Sequence, residues 1–288
     1  METIYPMRKI IRAAIAIWVI LALPSTSHSQ PDSPVKVRII RNVRYAPQPE
    51  GVYASDTASD RTLDLYLPEN STKAPVILFV HGGGFSGGHK HGTRFLCERL
   101  SEEGFAVISI NYRLYLKHHK TPGASATANM SRGVPSNGQF HPALQKAIEI
   151  ASDDAYLALQ WVIQNASQYN LDASRLAISG GSAGGMTALH SAYINPAFKG
   201  KVKAVVNLWG GMADVTKVRR KSPPILTYHG DQDKTIHVDF AYAIDRRMKE
   251  LKIRDSKLVV LENMGHALYK YITSDRCEEI ATFLNKVL

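Results

Sequence analysis

The sequence predicts an α/β fold in which helices wrap a mostly parallel sheet. Of the 288 residues, 44% are apolar and 21% are charged, which is typical of a globular chain with material for a large core. Short apolar runs alternate with amphipathic segments, the order produced when helices join parallel strands. Two of these runs, 75–80 and 106–111, are apolar almost throughout. Such runs are expected of strands that are buried on both faces.

Eight strands and five helices are predicted from this alternation. The strands fall at 35–44, 61–67, 75–80, 106–111, 175–178, 202–208, 225–229 and 257–261. The helices fall at 93–103, 152–169, 183–193, 238–251 and 275–287. The second helix is amphipathic, with Ala155, Leu159, Val162 and Ile163 on one face. A parallel sheet presents its functional site at the carboxyl ends of its strands.

The segment 115–150 does not follow this alternation. It is rich in small and turn-forming residues, and a short helix is expected only over 141–151. Because the segment follows the strand 106–111, it lies at the face that carries the site. It forms either part of a small cap over the site or a solvent-facing excursion.

Residues 1–29 have the organisation of a secretory signal peptide. Three basic residues precede the apolar run 13–23, and Ser27 and Ser29 suit the positions three and one before a cleavage site. The alternative is an uncleaved anchor, but the run is short for spanning a membrane. Cleavage removes three basic residues and one acidic residue, so the formal charge falls from +10 to +8. We therefore expect an exported protein whose single domain is 30–288, with no stable membrane insertion.

The charge and the cysteine count exclude other classes of protein. The densest basic run, 217–221, is short and lacks interleaved aromatic residues, so a solvated face is favoured over nucleic-acid binding. Two cysteines are too few for a disulfide scaffold or a multi-cysteine zinc site. Five histidines fall in loops without the spacing of metal ligands: His89, His91, His118, His119 and His141. No metal and no cofactor is predicted.

The strongest functional motif is Gly180-Gly-Ser-Ala-Gly-Gly185, which lies between a strand and a helix. It matches G-x-S-x-G, in which the serine occupies a strained turn and its hydroxyl stands above the sheet. The helix that begins after the serine also stabilises negative charge near its N-terminus. Ser182 is therefore the predicted nucleophile, and an ordinary glycine-rich turn is the alternative.

A second motif, His81-Gly-Gly-Gly-Phe85, follows the buried strand 75–80. Acyl transfer requires backbone N–H groups aimed at the developing oxyanion, and glycines leave these groups accessible. We predict Gly83 and Gly84 as donors, together with the N–H of Ala183. A phosphate-binding loop is disfavoured because the G-x-x-x-x-G-K-S/T pattern is absent from the sequence. Phe85 and Trp209 are expected to line the substrate pocket.

A serine nucleophile needs a base and an acid that orients the base. His266 follows the strand 257–261 and is the predicted base. Asp233 follows the strand 225–229 and is the predicted acid. Asp231 is a rival, but Asp at that position more often stabilises the turn after a glycine. Asp214 is a second rival that follows a strand too early in the chain.

Together these residues resemble the α/β-hydrolase superfamily, in its esterase and lipase branch with an HGGG oxyanion loop. The order Ser182, Asp233, His266 is the order of that family. The resemblance runs from Leu63-Asp-Leu-Tyr-Leu-Pro68 through Tyr112-Arg-Leu114 to His266, almost all of the mature chain. It is similar to hormone-sensitive-lipase-like enzymes and to bacterial feruloyl and acetyl esterases. Two departures, Gly-Gly-Ser in place of Gly-Asp-Ser and no Ala-Pro-Glu after Tyr-Arg-Leu, favour the secreted carbohydrate-ester relatives.

The resemblance implies a serine carboxylesterase, and the predicted signal peptide implies that it is secreted or periplasmic. The short segment 210–223, where many relatives carry a large lid, favours short acyl esters, with acetylated or feruloylated polysaccharide as the leading substrate. Two alternatives are a peptidase of the same fold, although no repeat at the spacing of propeller blades is present, and a non-catalytic binding module.

The two cysteines, Cys97 and Cys277, fall in helices that the resemblance places side by side on one face of the sheet. Export would allow a disulfide between them to persist. Two separate buried thiols that pack as small apolar groups are equally compatible with the sequence.

Overall fold

A single eight-stranded sheet forms the centre of the molecule. The computed structural model describes residues 1–2, 35–69 and 71–288. The strands are β1 (Val37–Arg44), β2 (Thr62–Pro68), β3 (Ala74–Val80), β4 (Ala106–Ile110), β5 (Leu171–Gly181), β6 (Ala204–Leu208), β7 (Ile225–Gly230) and β8 (Lys257–Leu261). Their order is β1-β2-β4-β3-β5-β6-β7-β8. Strand β2 is antiparallel to both neighbours and all other pairs are parallel. The predicted fold class, α/β with a mostly parallel sheet, is confirmed.

Eight helices connect and cover these strands in the described part of the chain. They are α1 (Arg94–Glu102), α2 (Tyr115–His118), α3 (Ala126–Met130), α4 (Pro142–Asn165), α5 (Ala183–Tyr193), α6 (Asp239–Glu250), α7 (Tyr269–Asp275) and α8 (Cys277–Val287). Residues 35–288 form one compact unit. The predicted signal peptide, 1–29, lies outside the described residues apart from its first two. No helix of the described ranges has the length and apolar character needed to cross a bilayer.

Two hydrophobic cores lie on opposite faces of the sheet because central strands are buried on both sides. In β3, Val76 and Leu78 join one core, while Ile77 and Phe79 join the other. Helices α4, α5 and α6 contribute to the first core, and α1 and α8 contribute to the second. This arrangement fixes the carboxyl ends of β3, β5, β7 and β8 at one edge, where the functional motifs follow.

Helix α4 differs from the prediction of two shorter elements. It is one helix of 24 residues that begins at Pro142, because Pro suits the first turn and the His141 ring accepts a hydrogen bond from the Ala143 N–H. Ile163, expected on the buried face, is 45% exposed. Helix α7 is a separate element that the sequence does not predict. Arg276, with φ −129°, has a non-helical backbone conformation and separates α7 from α8.

The segment after β4 is held in place by Asp56. The Asp56 carboxylate accepts hydrogen bonds from Lys117 Nζ at 2.7 Å and His118 Nε2 at 2.8 Å in α2, and from Ser59 Oγ at 2.9 Å. Burial alone would raise the pKa of Asp56, but these hydrogen bonds outweigh it and hold the pKa below its usual range. Helix α2 in turn supports the Gly-rich loop, because the Leu116 N–H donates to the Phe85 carbonyl.

The two cysteines are free thiols, so the separate-thiol alternative is confirmed and the disulfide is wrong. Helices α1 and α8 contact each other as expected. Cys97 and Cys277 are buried at 0% and 2% exposure. The Cys277 thiol donates to the Ile272 carbonyl at 3.5 Å. Burial raises the pKa of each thiol to about 12, which keeps both protonated.

Asp56→Asn is expected to destabilise the protein by roughly 1–3 kcal/mol at pH 7, because it removes hydrogen bonds to a charged group. The folded pKa is depressed, so the stabilisation is complete above the unfolded value of about 3.9 and is lost as pH falls below it. Urea unfolding should show a difference between variant and wild type that shrinks below about pH 4. The exposed Glu262→Gln variant is the control, and a difference that does not change with pH would contradict the assignment.

In native protein neither thiol should react with a chromogenic disulfide reagent, since both are buried and protonated. After denaturation without reductant, both cysteines should react. Denatured protein with no reactive thiol would show that the two residues form a disulfide.

Candidate active site

Three side chains from three different loops form one chain of hydrogen bonds. Ser182 follows β5, Asp233 follows β7 and His266 follows β8. The distance from Ser182 Oγ to His266 Nε2 is 2.8 Å, and that from His266 Nδ1 to Asp233 Oδ2 is 2.6 Å. Asp233 is 3% exposed, whereas the His266 side chain is 20% exposed. The structure thus brings together the three residues that the sequence predicted as nucleophile, base and acid.

Ser182 occupies a backbone conformation that L-residues rarely adopt, with φ 56° and ψ −121°. Two hydrogen bonds fix it: its N–H donates to the Leu208 carbonyl, and its carbonyl accepts from the Met186 N–H, both at 2.9 Å. Two residues before Ser182, only glycine fits at position 180, because a Cβ there would lie 2.5 Å from the Val80 carbonyl oxygen. The close approach of α5 to β3 and β5 therefore holds the hydroxyl in place.

The protonation states follow from the partners. Burial alone would raise the pKa of Asp233, but hydrogen bonds from His229, His266 and the Ile236 N–H outweigh it and hold the pKa well below its usual range. An ionised Asp233 can only accept, so the proton at His266 Nδ1 is donated to it. In neutral His266 the Nε2 atom is then an acceptor, and the Ser182 hydroxyl donates to it. This is the arrangement needed to remove the serine proton.

His229 is a buried partner of Asp233 that the sequence analysis did not identify. Its Nε2 lies 2.7 Å from the Ile236 carbonyl and 3.4 Å from Asp233 Oδ2. Since a carbonyl only accepts, this nitrogen carries the proton and also faces the carboxylate. Asp233 Oδ1 accepts from the N–H groups of Thr235 and Ile236 at 2.8 and 3.0 Å. His229 lies in β7 directly before Gly230. This position carries no motif, so the sequence does not indicate that His229 bonds to Asp233.

The rival acids lie elsewhere. Asp231 makes no side-chain hydrogen bond to His266, and its Oδ1 is buried without a partner among the described residues. Asp214 caps a short helical turn, with its carboxylate accepting from the N–H of Thr216 at 2.9 Å. Neither carboxylate orients the histidine.

The Gly-rich loop supplies free backbone donors beside the serine. In the described part of the chain, the backbone hydrogen bonds of turns, loops and caps include none that is donated by the N–H of Gly83, Gly84 or Ala183. Gly83 has φ 120°, and a Cβ there would collide with the Gly87 backbone, so only glycine fits. The loop is anchored at His81, whose Nδ1 donates to the Gly82 carbonyl and whose carbonyl accepts from Tyr112 at 2.9 Å. Burial lowers the pKa of His81 to about 4, so this ring is neutral.

A pocket of about 490 Å³ opens at the serine. Its lining includes Ser182, His266 and the Gly-rich loop on one side. Ser125, Ala126 and Thr127, from α3 and the residue before it, line another side. Part of the segment 115–150 therefore forms a wall of the site, in agreement with a small cap and not with a solvent-facing excursion.

Phe85 and Trp209, expected in the pocket, do not line it. Both are 0% exposed, because Phe85 packs in one core against Tyr112 and Trp209 packs in the other. The Trp209 ring lies edge-to-face with His266 at 6.4 Å and with Tyr269 at 5.0 Å. Trp209 thus lies beside the histidine ring, within the core. Tyr269, which does line the pocket, was missed because its position after His266 carries no motif.

No group of three or more His, Cys, Asp or Glu side chains that could hold a metal ion occurs in the described ranges. All five loop histidines noted in the sequence make side-chain hydrogen bonds with protein groups: His89, His91, His118, His119 and His141.

Two family models match overlapping parts of the chain. The model described as BD-FAE matches residues 63–129, and the model described as alpha/beta hydrolase fold matches residues 121–237. The two matches together run from β2 to beyond the turn that carries Asp233.

Curated relatives include named esterases. Esterase LipC of Mycobacterium tuberculosis is 24% identical over 304 residues, covering 86% of this chain and 67% of its own length. Ethyl acetate hydrolase of Pseudomonas putida is 30% identical over 128 residues, covering 43% of this chain and 31% of its own length. The chain therefore spans about two thirds of the first relative and less than one third of the second.

Solved structures share the fold. A truncated carbohydrate esterase from gut microbiota superposes with a TM-score of 0.64 at 18% identity, covering 88% of this chain and 97% of that one. Butyrate-bound esterase 2 of Thermogutta terrifontis superposes with a TM-score of 0.61 at 19% identity, covering 88% and 94%. The superpositions, the strand order and the family matches show that the chain has the α/β-hydrolase fold, and proteins named esterases are among those that it resembles.

Proposed function

We propose that this protein is a secreted serine carboxylesterase that acts on short acyl esters through Ser182, His266 and Asp233. The observation that carries the proposal is the chain of hydrogen bonds at 2.8 and 2.6 Å that ends on a buried, ionised carboxylate. Nucleophile, base and orienting acid in this geometry are the requirements of acyl transfer.

In the proposed acylation step, Ser182 Oγ attacks the ester carbonyl carbon and its proton passes to His266 Nε2. The carbonyl electron pair moves to oxygen, and the N–H groups of Gly83, Gly84 and Ala183 stabilise the resulting oxyanion. The C=O bond then re-forms as the bond from carbon to the alkoxy oxygen of the ester breaks. His266 Nε2 gives its proton to that oxygen, so the alcohol leaves and the acyl group remains on Ser182 Oγ. Asp233 stabilises the imidazolium while it exists, without taking its proton.

In the deacylation step, water attacks the acyl carbon while His266 Nε2 removes one proton from it. Collapse of the second tetrahedral intermediate returns the proton to Ser182 Oγ and releases the carboxylic acid. The position of Ser182 directly before α5 supports both steps, since the helix N-terminus favours the negative charge that develops there.

The size of the pocket supports a short acyl group. Its volume is about 490 Å³, towards the lower end of the range of roughly 300–1,000 Å³ for small-molecule sites. One solved relative holds butyrate and another is named a carbohydrate esterase. With the predicted signal peptide, these names favour acetyl or feruloyl esters of polysaccharides as substrates.

The first test is hydrolysis of para-nitrophenyl acetate by the wild type and by Ser182→Ala. We expect turnover by the wild type and a loss of at least about 10⁴-fold in the variant. Absence of wild-type turnover would favour a non-catalytic binding module, and preference for a para-nitroanilide would favour a peptidase.

Asp233→Asn should lower kcat by about 10⁴-fold, because an amide in place of the carboxylate favours the wrong tautomer of His266. Asp231→Asn is the matched control two residues away, and its kcat should stay within a few-fold of the wild type. If Asp231→Asn proved the more damaging change, Asp233 would not be the orienting acid.

The rate of ester hydrolysis should rise as pH increases from 5 to 8, because the proposed base is the neutral form of His266. The depressed pKa of Asp233 keeps that carboxylate ionised throughout this range. The pH–rate profile should therefore show a single rise, which reports His266. A kcat/KM that does not change between pH 5 and 8 would contradict a histidine base.

The preference for short acyl groups predicts that kcat/KM falls from para-nitrophenyl acetate to the octanoate. Thr127→Ala, which shortens a side chain at the pocket wall, should reduce this discrimination. A maximum at octanoate, or efficient cleavage of emulsified long-chain triglyceride, would contradict the proposed substrate class.

A further inference from the structure

A second cavity lies apart from the catalytic pocket. Its volume is about 810 Å³, and it is bounded by the segment 136–149, helix α5 and the segment 211–217. The two cavities share no lining residue. Helix α5 connects the two cavities: Ser182, directly before the helix, lines the catalytic pocket, and Met186 within it lines the second cavity. None of the steps proposed for ester hydrolysis uses this cavity.

The cavity contains a buried histidine without a partner. His190 on α5 is 9% exposed and lines the cavity, and its ring makes no hydrogen bond to any of the described residues. Burial lowers the pKa of His190, so the ring is neutral and offers one N–H donor and one nitrogen acceptor. Neither ring nitrogen is enclosed by protein, so both can be reached from the cavity. A ligand with hydroxyl groups would satisfy both nitrogens.

The remaining walls combine an apolar floor with a polar rim. Phe140 and Met212 are buried at 8% and 4% exposure and form part of the floor. On the rim, Gln145 Nε2 donates to Glu149 Oε1 at 3.1 Å, which leaves the other Glu149 oxygen for a ligand. Apolar surface with a few convergent polar groups is the usual composition of a small-molecule site.

The charges around the cavity indicate a neutral ligand. Lys146 and Lys217 line it together with Glu149 and Asp214, so the formal charges cancel. Asp214 is already engaged by Lys217 at 3.6 Å and by the Thr216 hydroxyl at 2.6 Å. An ionic ligand would face like charge on one side, whereas a hydroxyl-bearing ring with an apolar face would meet donors, acceptors and the apolar floor together.

We propose that this cavity is a non-catalytic binding site for a neutral sugar residue of the carbohydrate that carries the ester. The choice of a carbohydrate rests on the proposed function, whereas the cavity and its unpaired His190 do not. Binding there would hold a polysaccharide chain on the enzyme at a point separate from the bond being cleaved.

The test is calorimetric titration of the full-length wild-type protein with xylotetraose, cellotetraose and mannotetraose. We expect saturable binding of at least one of them. Ala213→Phe, which fills the cavity from its wall, and Glu149→Gln, which removes a charged acceptor, should each raise that Kd by about tenfold or more. The exposed Glu262→Gln variant, outside both cavities, should leave it unchanged. Thermal unfolding of each variant checks that it is folded.

Binding and catalysis are separated by a second measurement. Para-nitrophenyl acetate hydrolysis by the wild type should be unaffected by saturating tetrasaccharide, because the two cavities are distinct. No saturable binding of any tetrasaccharide, binding that survives both Ala213→Phe and Glu149→Gln, or competitive inhibition of hydrolysis would each overturn the second site. If the wild type bound a tetrasaccharide but did not hydrolyse para-nitrophenyl acetate, the proposed esterase activity would be refuted and the second site would stand.

Discussion

The close packing of α5 against β3 and β5 is the constraint on which the site depends. Gly180 and Gly184 allow it, since a Cβ at either position would overlap the Val80 backbone. The packing forces Ser182 into its positive-φ conformation and places the first helical N–H groups beside its hydroxyl. Backbone strain of this kind persists only where the surrounding structure over-determines it. The two buried cores on either face of the sheet provide that support.

The electrostatics of the site have a single origin in the buried carboxylate of Asp233. Hydrogen bonds from two histidines and two backbone N–H groups stabilise its ionised form. An ionised Asp233 fixes the proton of His266 at Nδ1 and leaves Nε2 to accept from Ser182. Three loops after different strands must meet to within hydrogen-bond distance for this to happen, which a parallel sheet achieves by aligning its carboxyl edges.

Much of the fold and the three residues of the hydrogen-bonded chain were predictable from sequence, because each depends on a local pattern. Strand β8 and helix α5 have the bounds that were expected, since apolar runs and the Gly-Ser motif delimit them. Features set by tertiary contact were not predictable. The role of His229 depends on the distance between a strand end and a loop. Phe85 and Trp209 were placed in the pocket because they adjoin motifs, yet both side chains turn into the cores. Helix α4 is longer than expected because its N-terminal residues pack on the core that the segment 115–150 helps to build.

Covalent labelling would show whether Ser182 is a nucleophile that His266 activates. The protein would be incubated with a para-nitrophenyl phosphonate, and the site and extent of modification would be read by peptide mass mapping. We expect one label per chain, on Ser182, and labelling slowed by orders of magnitude in His266→Ala. A label on another residue, or labelling of Ser182 at the same rate in His266→Ala, would contradict this expectation.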